Sequence, residues 1–264
     1  MKIFTRILKK IEFNFFKILK IHSIKVSDQN DIYLTLSLDR AAGLQKLNEA
    51  LENTFNCSYD ENEGMFSEHL ILLSSISIKR PEISSILEIG TFDGKTSLLL
   101  SNLFPGSKIL TIDLPDSSND FIDTYGRSKS ASSFANKRNR VLSLSPNITF
   151  QSINSVALVN SNETFDLIWV DGAHGYPVVA MDIINSFRLV NEGGYVLCDD
   201  IWTSVRSSDE WYTSIGGFES LKVLKNAGLI SSFSLIPKRL ASEYNYPSAK
   251  KYVGFFTRPV KSDL

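Results

Sequence analysis

The sequence predicts an α/β fold: a three-layer sandwich built on a mostly parallel seven-stranded sheet, with a C-terminal antiparallel hairpin and an N-terminal helical extension. Three observations carry this expectation. From residue 85 onward, short apolar runs alternate with stretches of helical periodicity, the pattern of strands joined by crossover helices. Several of the runs stop at an acid or a glycine, as buried parallel strands do where their ends meet a crevice. Two further runs near the C-terminus, "ISSFSLIPKRL" and "KKYVGFFTRP", are separated by a polar, proline-containing link and read as a hairpin closing the sheet.

Taken in order, the strands are "SSILEIG", "KILTIDL", "NITFQSI", "FDLIWVDG" and "GGYVLCDD". Helical patterns occupy residues 95–104, 121–142, 154–160 and 177–190, most of them long enough for right-handed crossovers. After Asp200 come a loop rich in Trp, Ser and Gly, a helix near 217–227, and the hairpin. Residues 1–84 are mostly helical by pattern, with "EHLILLSSISI" leading into the first strand. The expected organisation is an N-terminal extension over 1–64 and one larger domain over 65–264.

The extension begins "MKIFTRILKKIEFNFFKILKIHSIKV", where Phe4, Ile7, Leu8, Ile11, Phe15, Ile18 and Leu19 recur at helical spacing. Lys2, Arg6, Lys9, Lys10, Lys17 and Lys20 interrupt every apolar run, which excludes a signal peptide or a spanning segment. An amphipathic helix over 1–25 serves either as a peripheral contact with the inner membrane face or as a helix docked on its own domain or a second copy in a homo-oligomer.

Composition sets the remaining bounds. The 264 residues, 43% hydrophobic and 22% charged, suffice for the core of one large domain. A net charge of -1 argues against a nucleic-acid partner, since such affinity is carried by clustered positive charge. The two cysteines, Cys57 and Cys198, lie far apart and outside any paired spacing, which fits a reducing, cytoplasmic setting.

The first chemical signal is "ILEIGTFDGKTS", a glycine loop between the first strand and its helix. Gly90 and Gly94 permit a tight turn close to a ligand, but the spacing is neither that of a dinucleotide fingerprint nor that of a phosphate-cradling loop. Glu88 and Asp93 would repel pyrophosphate and suit the ammonium and sulfonium charges of S-adenosylmethionine. Asp113 closes the second strand at about the 20-residue separation where a strand-end acid meets ribose hydroxyls. These residues resemble the first two motifs of class I S-adenosylmethionine-dependent methyltransferases. The resemblance implies a Rossmann-like methyltransferase sandwich, a domain over 65–264 that binds this cofactor, and cofactor contacts from Glu88, Gly90, Thr91, Asp93, Gly94, Thr96, Ser97 and Asp113. Asn154 stands where that family has a polar contact to adenine, and equally where a helix would be capped.

The second signal is the pair of strand ends "VDGAH" and "CDD". If those strands are neighbours, Asp171 lies about 5 Å from the tip bearing Asp199 and Asp200. Three converging carboxylates repel one another unless something positive stands between them. A divalent cation would answer that; all-oxygen ligation points to Mg²⁺, Ca²⁺ or Mn²⁺ over zinc, with Mg²⁺ the default because it keeps positions open for water and a substrate oxygen. His174, three residues beyond Asp171, is placed to accept a proton from an acceptor hydroxyl. The DGxH element and the later acidic pair resemble metal-dependent sugar O-methyltransferases of macrolide and aminocoumarin biosynthesis. That resemblance implies Asp171, Asp199 and Asp200 as ligands, Asp171 and His174 as catalytic residues, and a small-molecule or saccharide acceptor. A metal-independent methyltransferase and a noncatalytic cofactor-binding scaffold remain as alternatives on the same fold. Tyr176, Trp202, Arg206, Trp211 and Tyr212 are acceptor-side candidates, and the basic run Arg127, Lys129, Lys137, Arg138 and Arg140 is either a lid or a solvated helix face.

Overall fold

The computed structural model describes residues 25–60, 67–123, 130–204, 214–238 and 251–260. The amphipathic stretch over 1–24 and the candidates Arg127, Lys129, Arg206, Trp211 and Tyr212 lie outside the described residues. In chain order the elements are α1 (Val26–Thr35), α2 (Arg40–Phe55), α3 (Glu68–Lys79), β1 (Ser85–Ile89), α4 (Lys95–Leu103), β2 (Lys108–Asp113), α5 (Asn119–Asp123) and α6 (Ala131–Leu142). They continue as β3 (Ile148–Ser152), a 3₁₀ turn (Ser155–Asn160), β4 (Phe165–Val170), α7 (Val178–Leu189), β5 (Val190–Trp202), α8 (Gly216–Asn226), β6 (Ser234–Pro237) and β7 (Lys251–Thr257). The single helix expected over 121–142 contributes two described pieces, α5 and α6.

The strands form one seven-stranded sheet in the order β3-β2-β1-β4-β5-β7-β6. β1 to β5 are mutually parallel, and the expected hairpin pairs antiparallel, with β7 inserted between β5 and β6. Alternate residues of a strand point to opposite faces, and the sheet divides its core accordingly. Ile86, Leu167, Trp169, Leu197 and Phe255 join one apolar cluster with Tyr33, Leu47, Leu51 and Ile71 of α1, α2 and α3. Leu87, Ile168, Val170, Val196, Cys198 and Phe256 join the other with Ile183 of α7 and Leu221 of α8.

Local chemistry explains the helix limits near the site. The Asp39 carboxylate accepts the Ala42 N–H at 3.0 Å and caps α2, which ends at Asn56 in the left-handed region. α3 carries apolar residues all round and is buried from Glu68 to Ser77, as a helix without a polar face must be. It runs back along the sheet, so its first residues lie at the same edge as the carboxyl ends of β1, β4 and β5. No described helix is long and apolar enough to cross a membrane.

Candidate active site

The chain leaves β1 toward β2 on one side, while β4 pairs on the other, so the crevice of this sheet opens between β1 and β4. Gly90 sits at that opening with φ of 104°, and a Cβ there would fall 2.2 Å from the Asp171 carbonyl oxygen. Only glycine lets the loop after β1 lie against the loop after β4. The Gly90 and Thr91 N–H groups both donate to the Ile112 carbonyl, at 2.9 and 3.2 Å, and the Asp171 N–H donates to Ile89 at 2.8 Å. These bonds tie the tips of β1, β2 and β4 together.

The residues expected to hold the cofactor divide into two groups. Glu88, Thr91 and Ser97 are enclosed beneath the loop. The Ser97 and Thr111 hydroxyls donate to one Glu88 oxygen, and the other oxygen is buried without a hydrogen-bond partner. Burial pushes the Glu88 carboxyl up to about 7, against the lowering effect of those two hydroxyls. Asp93, Thr96, Asp113 and Asn154 retain exposed surface. Asp113 accepts the Phe92 N–H at 2.9 Å and the Leu114 N–H at 2.8 Å, and a carboxylate has room for further donors such as a ribose diol. Gly94 opens α4 in the left-handed region, with Asp93 bonded to both the backbone and the ammonium of Lys95. Asn154 caps the 3₁₀ turn by accepting the Val156 N–H at 3.0 Å.

The second cluster lies at the tips of β4 and β5, which are neighbours as expected. Its composition differs from the sequence reading because of two residues on the hairpin. Lys238, directly after β6, places its ammonium 2.5 Å from Asp199 Oδ1 and 2.6 Å from Asp200 Oδ1. Lys251, the first residue of β7, holds the other oxygen of Asp200. Asp200 itself has φ of 49° at an irregularity in the β5–β7 ladder, which turns its carboxylate toward the hairpin. His174 Nε2 stands between the two strand tips, 3.7 Å from Asp171 Oδ1 and 4.0 Å from Asp200 Oδ2.

Charge follows from this packing. Burial raises the Asp171 carboxyl well above its ordinary range, and Asp199 adds to the shift. Asp200 goes the other way: burial opposes its ionisation, but Lys238, His174 and Lys251 together hold it far below the usual carboxylate range. Burial lowers the His174 imidazole below 6.5, Asp200 and Asp199 pull it back, and Lys238 and Lys251 depress it further.

The magnesium expectation finds no support in this arrangement. Among the described residues no group of three or more His, Cys, Asp and Glu side chains is set to hold a metal ion. Two of the three carboxylates that were to share an ion, Asp199 and Asp200, instead meet Lys238, Lys251 covers the remaining Asp200 oxygen, and Asp171 faces His174. Two unit charges 4 Å apart are worth about 4 kcal/mol at an effective dielectric near 20, so a doubly charged ion would meet roughly twice that repulsion from each ammonium. The residues present therefore do not fit the metal.

Other sequence expectations are corrected by burial and contact. His69, in the first turn of α3 and outside every motif of the sequence, places its Nδ1 2.6 Å from the Ser67 hydroxyl and 4.0 Å from Asp199. It stacks on Trp169 at 4.8 Å between ring centroids, and burial pushes it down to about 4. Trp202 is buried beneath the Lys251 ammonium and presents no face for an acceptor, whereas Tyr176 is 74% exposed. Arg138 is buried in a two-toothed bridge to Asp116 and stacked over Phe150, while Lys137 and Arg140 remain exposed.

Comparisons with known proteins agree with this architecture. Residues 87–201 match the family model described as a methyltransferase domain. A search of curated proteins finds no match. Among solved structures, a Klebsiella pneumoniae protein proposed to be an O-methyltransferase is 13% identical with a TM-score of 0.54, covering 83% of this chain and 90% of its own. An O-methyltransferase from Bacillus cereus in complex with SAH is 16% identical with a TM-score of 0.50, covering 81% of this chain and 91% of its own. At such identities the likeness establishes the fold. The match to the methyltransferase-domain model spans residues 87–201, less than half of the chain, and takes in β1 to β5 with the loops that follow β1 and β4.

Proposed function

We propose that this chain methylates a hydroxyl group of a small saccharide-like acceptor, with His174 removing the hydroxyl proton and no metal ion taking part. The observation that carries this reading is the position of His174 Nε2 between Asp171 and Asp200, across from the glycine loop that packs on Asp171. S-Adenosylmethionine, when bound, supplies an electrophilic methyl on a sulfonium centre. Asp93 and Asp113 offer carboxylates to its ammonium and ribose groups, Gly90 keeps the loop close to the β4 tip, and His174 Nε2 takes the proton of the attacking hydroxyl. The saccharide acceptor rests on the DGxH resemblance and on the exposed ring of Tyr176 beside that motif.

Incubation with methyl-labelled cofactor and a panel of saccharides and phenols tests the reading. Label is expected in a saccharide hydroxyl, and His174→Ala is expected to lower turnover by about 100-fold or more while cofactor affinity in calorimetry stays unchanged. Undiminished turnover in His174→Ala removes the base from the mechanism. Cofactor binding without methyl transfer to any hydroxyl favours the scaffold alternative.

A further inference from the structure

We infer that Lys238 is the resident cation of this site, an ammonium fixed where a divalent ion would otherwise balance the acids of β5. The inference deepens the metal-free reading above, yet it concerns ion binding and can be tested without turnover.

Four observations support it. Lys238 is buried, with its side chain 5% exposed, and a buried ammonium is tolerated only when paired and hydrogen-bonded. Its partners are two successive carboxylates whose near oxygens lie at almost equal distances of 2.5 and 2.6 Å. Its backbone is anchored from both sides: the Lys238 N–H donates to the Lys251 carbonyl at 3.0 Å, and the preceding Pro237 carbonyl accepts from Gln29 at 2.8 Å. The left-handed backbone at Asp200 turns that carboxylate to meet both lysines. An ammonium supplied by the chain cannot be chelated away, and it acts as a positioning group for Asp200 and, through Asp200, for His174.

The consequence is a latent metal site. Removing both hairpin charges leaves Asp199 and Asp200 side by side at the tip of β5, an oxygen-donor set suited to a hard divalent cation. Mn²⁺ binding to the full chain, followed by electron paramagnetic resonance, reads this directly. Wild-type protein and Lys251→Met are expected to bind no Mn²⁺ at concentrations where the double variant Lys238→Met/Lys251→Met binds one ion per chain, and Asp199→Asn added to the double variant is expected to abolish that binding. Turnover of the double variant is expected to recover at least tenfold on adding Mn²⁺, while wild-type turnover is indifferent to both Mn²⁺ and chelator. Saturable one-to-one Mn²⁺ binding by wild-type protein that is lost in Asp199→Asn overturns the inference, as does a folded double variant that binds no ion. Should circular dichroism show the double variant unfolded, the wild-type titration still decides. Failure of methyl transfer with every acceptor would count against the proposed activity and leave the ion-binding result standing.

Discussion

The Gln29 side chain donates to the Pro237 carbonyl at 2.8 Å, joining residues 208 positions apart. Its amide nitrogen also lies 2.8 Å from Glu68, which accepts the Tyr33 hydroxyl at 2.8 Å and two Arg40 nitrogens at 2.7 and 2.9 Å. This buried polar knot fastens α1, α2 and α3 to the end of β6, one residue before Lys238. The N-terminal helices thereby brace the acid cluster from behind.

Glu68→Ala is expected to lower the unfolding free energy by about 3–5 kcal/mol, because Arg40 would remain buried without its counter-charge. Urea denaturation provides the check. A loss below about 1 kcal/mol would mean that Arg40 finds water or another partner.

Gly90→Ala is expected to destabilise by more than about 2 kcal/mol and to abolish cofactor binding, since both the positive φ and the nearby Asp171 carbonyl oppose a side chain. Gly228→Ala is the control. Its φ is 70° but it opens onto free space, so only the backbone strain of about 1 kcal/mol applies. Thermal melts with cofactor titration distinguish the two.

Glu88 makes stability depend on pH. Its folded carboxyl is raised to about 7 from an ordinary 4.5, so the folded chain holds a proton that the unfolded chain releases. The associated stability is full below pH 4.5, falls as pH rises toward 7, and is flat above. The loss is on the order of 3 kcal/mol. Asp182, raised by burial to about 6 from 3.8, adds a slope of the same sign at lower pH. Urea denaturation at pH 5 and 7.5 should show the decline in wild-type protein and a shallower one in Glu88→Gln.

Burial and the two lysines keep His174 neutral below its ordinary value of 6.5, so the acid limb of kcat/KM is expected below that pH. Lys251→Met removes one of the depressing charges. The limb should then move upward, and an unmoved or lowered limb would detach the activity from this imidazole.

Arg138→Ala is expected to cost about 2–3 kcal/mol through lost packing over Phe150 and the lost bridge to Asp116. Lys137→Ala and Arg140→Ala, on the exposed side of the same helix, should stay within about 0.5 kcal/mol. Chemical denaturation of the three variants tests whether α6 is held mainly by this one buried guanidinium.

The sheet was legible because its strands are short apolar runs ending in acids or glycines, a local pattern that needs no knowledge of neighbours. The proximity of Asp171 to the Asp199–Asp200 pair was legible for the same reason, once β4 and β5 were taken as adjacent. The charge that reconciles those acids was deduced as necessary and assigned to an ion. Lys238 was hidden because it reaches the pair across β7, from a residue 38 positions beyond Asp200, and no periodicity announces a contact of that range. The first letters of "KKYVGFFTRP" and the Lys of "LIPKRL" were the available signal, since cations at the feet of a hairpin pairing with an acid-tipped strand have few other counter-charges to meet. His69 escaped for a similar reason: a histidine opening an apolar helix looks like packing until that helix is known to start beside β5.

The glycine loop and the hairpin are independent parts of one sheet. Gly90 and its contacts with Ile112 and Asp171 are encoded before residue 172, while both ammonium groups come from the two strands at the far edge. The hairpin's two lysines, and with them the choice between an intrinsic and a borrowed cation, can therefore be exchanged without altering the turn after β1.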